Sequence, residues 1–183
     1  MRHLAIPPSS TDVSVAKAAA RHTNPAIQNI ARAATWAADG HVLGTVAAAV
    51  WVVSRLGNSR RRAVANHLAV TVAAAVIVPK VLKQVVERTR PDRVVVGPHR
   101  RGVKTSGNPY DSFPSGHSVH IGAVVSALSR VYPKHATVFR ATGAMLACTR
   151  VGVLAHWTTD VLAGLTMGIA LESGVAQILD PHV

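Results

Sequence analysis

AVANHLAVTVAAAVIVPKVLKQVV, from Ala63 to Val86, is the stretch on which the fold turns. It is apolar almost throughout, rich in Ala, and lacks the strict alternation of a half-buried strand, so it reads as a helix. Its length reaches the roughly 20 residues that a helix needs to cross hydrocarbon. Its polar residues stand at the ends, with Asn66 and His67 near the start and Lys80 and Lys83 near the finish. Pro79 is the candidate kink.

Working outward, comparable apolar runs occupy His41–Val53, His117–Val131, Thr137–Ala155 and Thr158–Leu179. Basic or Pro/Gly-marked connectors separate them. The expected fold is all-α, a polytopic membrane helix bundle of about five transmembrane helices. An N-terminal interfacial helix, 25–38, precedes them, because PAIQNIARAATWAA is amphipathic and Asp39–Gly40 ends it with a turn signal. An ordinary surface helix suits that segment equally well. Gly164 and Gly168, four apart, form a small-xxx-small pair that lets helices approach closely. The chain is expected to form a single domain over 1–183, with residues 1–24 a candidate flexible tail. The apolar part of that tail is broken by Pro7, Pro8 and Lys17, so it is not read as a cleavable signal peptide.

Composition points the same way. Of 183 residues, 49% are hydrophobic and only 15% charged, a balance that suits a helical membrane bundle better than a soluble domain. The formal charge of +12 raises nucleic acid as a partner, but the chain is apolar and carries no nucleic-acid motif, so that partner is excluded. Cys148 is the single cysteine, which rules out an internal disulfide and multi-cysteine metal sites. Its apolar surroundings suggest a buried packing thiol.

If the runs alternate across the membrane, Ser54–Arg62, Tyr132–Ala136 and the C-terminus share one face. Three polar clusters then meet on the other: Lys83–Pro91, Asp111–His120 and Thr149–Asp160. Arg55, Arg60, Arg61 and Arg62 favour a cytoplasmic first connector, while the basic loop Arg93–Lys104 votes the opposite way. An extracytoplasmic site is the preferred reading. The basic loop suits either a grip on an anionic head group or a solvated position near lipid.

Lys83 and Arg90, with six residues between them, stand at the end of one helix and Arg150 comes from a later one, and cations near a bilayer are usually functional unless they snorkel. Snorkelling accounts well for Lys80 and Arg140, and remains open for Lys83. An Arg fork with a Lys point charge suits a phosphoryl group. In Pro114–His117, Ser115 and Gly116 offer a hydroxyl and free backbone N–H groups, and His117 can give a proton to a departing oxygen. A plain helix N-cap beside an incidental histidine fits equally. His156 and Asp160, four apart, share a helical face, so the Asp can orient the imidazole for attack or simply close a helix N-terminus. Metal binding is disfavoured, because carboxylates are few and the nearby cations repel a divalent ion.

Together, Lys83-x6-Arg90-Pro91, Pro114-Ser115-Gly116-His117 and Arg150-x5-His156-x3-Asp160 resemble the three-part signature of the type 2 phosphatidic acid phosphatase superfamily. That resemblance implies His156 as nucleophile, Asp160 as its partner and His117 as the acid that protonates the leaving oxygen. It implies phosphate binding by Lys83, Arg90, Ser115, Gly116 and Arg150, and needs no metal or other cofactor. Thr149 departs from the Ser common in the family and is assigned no role.

The apolar spans select the membrane branch, so the expected activity is hydrolysis of a lipid phosphate or diphosphate through a phosphohistidine in an inner membrane. Polyprenyl phosphates lead as substrates, with phosphatidic acid and phosphatidylglycerol phosphate behind. Phosphotransfer to another acceptor and non-catalytic lipid-phosphate binding or transport are the rival expectations. The partners are the lipid substrate and membrane lipids; nothing in the sequence fixes an oligomeric state.

Overall fold

Asn58 explains why the long helix begins a turn before the apolar run does. Its side chain accepts the backbone N–H of Arg61 at 3.0 Å, capping a helix from Ser59 to Leu82. The computed structural model describes residues 4–96 and 105–179. Its helices are α1 (Ser10–His22), α2 (Pro25–Thr35), α3 (Gly40–Ser54), α4 (Ser59–Leu82), α5 (Pro91–Val94), α6 (Gly116–Val131), α7 (Ala136–Gly152) and α8 (Thr158–Leu179). Two short strands, β1 (Leu4–Ala5) and β2 (Val86–Glu87), pair in parallel with Leu4 opposite Val86. The all-α bundle is therefore as the sequence indicates, and Val86 belongs to a strand and not to α4.

Length and apolar character suffice for a membrane crossing in Pro25–Ser54, α4 and α8. The other two long helices, α6 and α7, have 16 and 17 residues. α6 is the central element and packs most extensively on α8, with α4 and α7 against its other sides. That closeness has a local cause. A Cβ on Gly164 would stand 2.7 Å from the Ser115 carbonyl oxygen, and one on Gly168 would collide with the main chain of Val119 and Ala123. Only glycine lets the two backbones come so near. The core beside them is built of small residues such as Ala75, Val119 and Ala123. Ile77, Leu162, Met145 and Ile169 face outward, where lipid would cover them.

Two expectations need correction. Cys148 is exposed on α7, because it falls between Ala147, which packs inward, and the turn that carries Arg150. Residues 10–22 are a docked helix and not a loose tail. Ser9 and Asp12 form a reciprocal capping box at its start, and Ala16 packs on Leu154 and Trp157.

Candidate active site

The segment after α4 runs beside residues 109–112. Arg88 N–H donates to the Tyr110 carbonyl at 2.8 Å, and Arg90 N–H to that of Pro109 at 2.9 Å. This pairing fixes Arg90, whose guanidinium reaches Asp111 at 2.8 Å and the Ala155 carbonyl at 2.9 Å. The second oxygen of Asp111 stands 3.7 Å from the ammonium of Lys83, the C-cap of α4. One carboxylate thus steadies two of the three expected phosphate-binding cations. Burial holds Lys83 below its ordinary pKa, although Asp111 pulls the other way.

At the start of α6 the Ser115 side chain is the N-cap. It is fully buried and bonded to the hydroxyl of Ser118 at 2.9 Å, so it is spent on structure. Gly116 and His117 form the first turn, whose N–H groups lack intrahelical acceptors. A Cβ at Gly116 would meet nothing within 4 Å among the described residues, which leaves the main chain approachable there.

Arg150 sits in the last turn of α7. Beyond it the chain reverses through Leu154, whose φ of 57° is the left-handed conformation that ends many helices and that L side chains adopt at a cost. Complete burial of Leu154 against Trp157 and Ala16 holds it there. The reversal brings His156 N–H back to the Arg150 carbonyl at 3.3 Å, tying imidazole and guanidinium together.

Lys83, Arg90, Gly116, His117, Arg150 and His156 line one cavity of about 390 Å³. Ser115 and Asp160 lie behind its wall. His156 Nδ1 is 2.7 Å from the Ser112 carbonyl oxygen. A carbonyl only accepts, so Nδ1 carries the proton and Nε2 keeps its lone pair. Asp160 is 3.9 Å from Nδ1, too far for the direct hydrogen bond expected of it. It accepts instead from the Ser112 hydroxyl, the Trp157 N–H and Arg88. The i, i+4 spacing counts residues on one helix, but α8 begins only at Thr158 and His156 stands outside it. Burial, with Arg90, Arg150 and Lys83 nearby, drives the His156 pKa well below its ordinary value. The imidazole is neutral at physiological pH.

Sequence reasoning missed Asp111, Arg88 and Ser112. The first two could have been suspected from their places inside the motifs; Ser112 meets His156 through its main-chain carbonyl, which gives no residue-type signal. It also missed His120 and Lys80, which line the cavity. The His120 ring nitrogen Nδ1 donates to the Ala38 carbonyl at 2.8 Å. Of the basic loop, residues 97–104 lie outside the described residues; Arg93 is spent on the Ser106 carbonyl at 3.0 Å.

The sequence profile of the PAP2 superfamily matches residues 64–182. The lipid A 1-phosphatases of Rhizobium etli and Rhizobium johnstonii are each 36% identical over 107 residues, 56% of this chain. The chain spans 44% and 42% of the lengths of those relatives. Among solved structures, Aquifex aeolicus LpxE superposes with a TM-score of 0.76 at 14% identity, covering 95% of this chain and 99% of the other. A transmembrane PAP2-type phosphatidylglycerolphosphate phosphatase from Bacillus subtilis gives 0.74 at 23% identity, covering 95% and 87%. At these identities the two structures speak for the fold alone.

Proposed function

The chain belongs to the PAP2 superfamily, and from that premise we propose that it is a membrane lipid phosphatase working through a phosphohistidine at His156. One observation carries the reading: cations from two distant segments, Lys83 and Arg90 from one and Arg150 from another, line a single cavity with His117 and His156. His156 Nε2 attacks phosphorus and the bond from phosphorus to the lipid oxygen breaks. His117 protonates that oxygen as it leaves. Water, giving its proton back to His117, then splits the phosphorus–nitrogen bond and frees inorganic phosphate. The three cations stabilise charge on the transferred group. With that cationic wall no divalent metal is needed, and chelator should leave turnover unchanged.

A lipid substrate is supported by a second cavity of about 410 Å³ between α3 and α4, lined by Gly44, Ala47, Ala48, Ala73 and Ile77. Gly40 and Val76 line both cavities, so an apolar tail can leave the phosphate site directly into the membrane-facing groove. The relatives' name favours the 1-phosphate of lipid A as leading substrate, ahead of the polyprenyl phosphates that the sequence suggested. The cavity lies at the Lys83 end of α4, opposite Arg60, Arg61 and Arg62, so positive-inside topology argues for an extracytoplasmic site on the inner membrane.

The test is phosphate release by the purified full chain from lipid A 1-phosphate, prenyl diphosphate, prenyl monophosphate, phosphatidic acid and phosphatidylglycerol phosphate, with and without chelator. His156→Ala should abolish release from whichever lipid turns over. Full activity in that variant overturns the mechanism; phosphate found on an added alcohol would make the protein a phosphotransferase.

A further inference from the structure

Asp12 lies in α1, well before residue 64 where the superfamily match begins, yet it is 1% exposed and bonded into the active end of the bundle. Its Oδ2 accepts from Arg88 Nη2 at 2.8 Å and from the Thr159 hydroxyl at 2.7 Å, and its Oδ1 accepts the Thr159 N–H at 3.0 Å. The other arm of Arg88 donates to Asp160 and to the Thr159 hydroxyl. Asp160 in turn holds the hydroxyl of Ser112, whose carbonyl orients His156. Asp12, Arg88, Ser112, Asp160 and His156 are all buried, so each bond acts in a low dielectric. Burial alone would raise the Asp12 pKa, but hydrogen bonds from Thr159, Ser9 and Arg88 outweigh it and keep the carboxyl below its ordinary value.

We propose that Asp12 is a positioning residue for phosphoryl transfer, fixing the fork of Arg88 between two carboxylates so that Asp160 and Ser112 hold His156 in its attacking orientation. The inference rests on the proposed role of His156. A guanidinium held by a single buried carboxylate can swing. Held from both sides, with Thr159 bonded to it as well, it cannot. A purely architectural role, closing the N-terminus of α8 over α1, would affect how much protein folds but not how fast the folded protein turns over.

The full-length wild type, D12N, R88K and the double variant are compared on the panel lipid that the wild type hydrolyses fastest, with the folded fraction measured by size exclusion and thermal melting. D12N should lower kcat of the folded fraction by about 10–100-fold, as loss of a supporting partner does at other preorganised sites. KM should stay within about twofold, because Asp12 is not in the cavity. R88K keeps the charge but cannot bridge two carboxylates, and should fall similarly. The double variant should be no slower than the slower single one. Wild-type kcat in D12N, or losses that multiply in the double variant, overturns the proposal. Should D12N not fold, wild-type kcat in R88K does so. His156→Ala in parallel separates the two ideas: activity there defeats the mechanism itself, whereas an inactive His156→Ala beside a fully active D12N defeats only the role of Asp12.

Discussion

The carbonyl oxygen of Ser112, 2.7 Å away, is the hydrogen-bond partner of His156 Nδ1. Asp160, at 3.9 Å, makes no direct hydrogen bond to the imidazole and is linked to it through Ser112. Ser112→Ala keeps the carbonyl but removes the hydroxyl that anchors Asp160. It should lower kcat by about fivefold, the worth of one hydrogen bond near 1 kcal/mol. Asp160→Asn should cost more, because it also weakens the hold on Arg88. Were Asp160 the direct partner, Ser112→Ala would be silent. Steady-state kinetics of the two variants decide between these.

The depressed His156 pKa fixes the acid side of the pH profile. Burial, and after it the neighbouring cations, disfavour the imidazolium, so the neutral, attacking form persists as pH falls past the ordinary value of about 6.5. Activity should be lost only below it. Lys83→Met removes one of those cations, so the His156 pKa should rise and the acid limb of kcat/KM move towards neutrality. Rates over pH 4–8 on one substrate test this, since substrate ionisation is common to both proteins. An unmoved limb contradicts it.

Glycines along α8 should respond in opposite ways. Gly164→Ala forces a methyl against the Ser115 carbonyl and the Cβ of Ser118, at 2.7 and 2.8 Å. It should destabilise by about 1–3 kcal/mol, as overpacking does, and displace the turn bearing His117. Gly174→Ala meets nothing within 4 Å among the described residues and should stabilise slightly through helix propensity, by up to about 1 kcal/mol. Thermal melting of the two variants makes the comparison.

Away from the cavity, Glu172 is fully buried and gathers His67 at 3.0 Å, Arg130 at 2.8 Å and the Ser126 hydroxyl at 2.6 Å. It ties α4, α6 and α8 together roughly 18 Å along α8 from Asp160. Glu172→Ala leaves those groups without an acceptor and should cost about 3 kcal/mol. The kcat of protein that remains folded should not change. Melting temperature and specific activity, measured on one preparation, separate the two effects.

The topology also predicts a labelling pattern. In a Cys148→Ser background, cysteine at Asn108, near the cavity mouth, should react with an impermeant thiol reagent added to intact cells. Cysteine at Arg60 should react only after lysis. The reverse pattern would put the site on the cytoplasmic side.

Apolar length and small-residue content announced the bundle, since a helix that must satisfy its backbone in lipid has to be long, apolar and closely packed. Lys83, Arg90, Gly116, His117, Arg150 and His156, which the structure gathers around one cavity, were readable as candidates because phosphate chemistry would demand side chains and turns of that kind. The role of Ser112 was not, because main-chain atoms are the same at every position. Asp12 was not, because nothing within α1 signals that the helix docks on Arg88, 76 residues away.

By itself, then, the sequence determined the helical class, the apolar segments and the candidate site residues, all of which depend on residue type and local spacing. Only the tertiary structure decided which groups touch. It gave His156 a carbonyl for a partner, turned Asp160 towards Arg88 and Ser112, and docked the N-terminal helix on Arg88 behind the site. Hydrogen bonds act over about 3 Å, and that distance between remote segments is set by how α6 and α8 pack and by the reversal at Leu154.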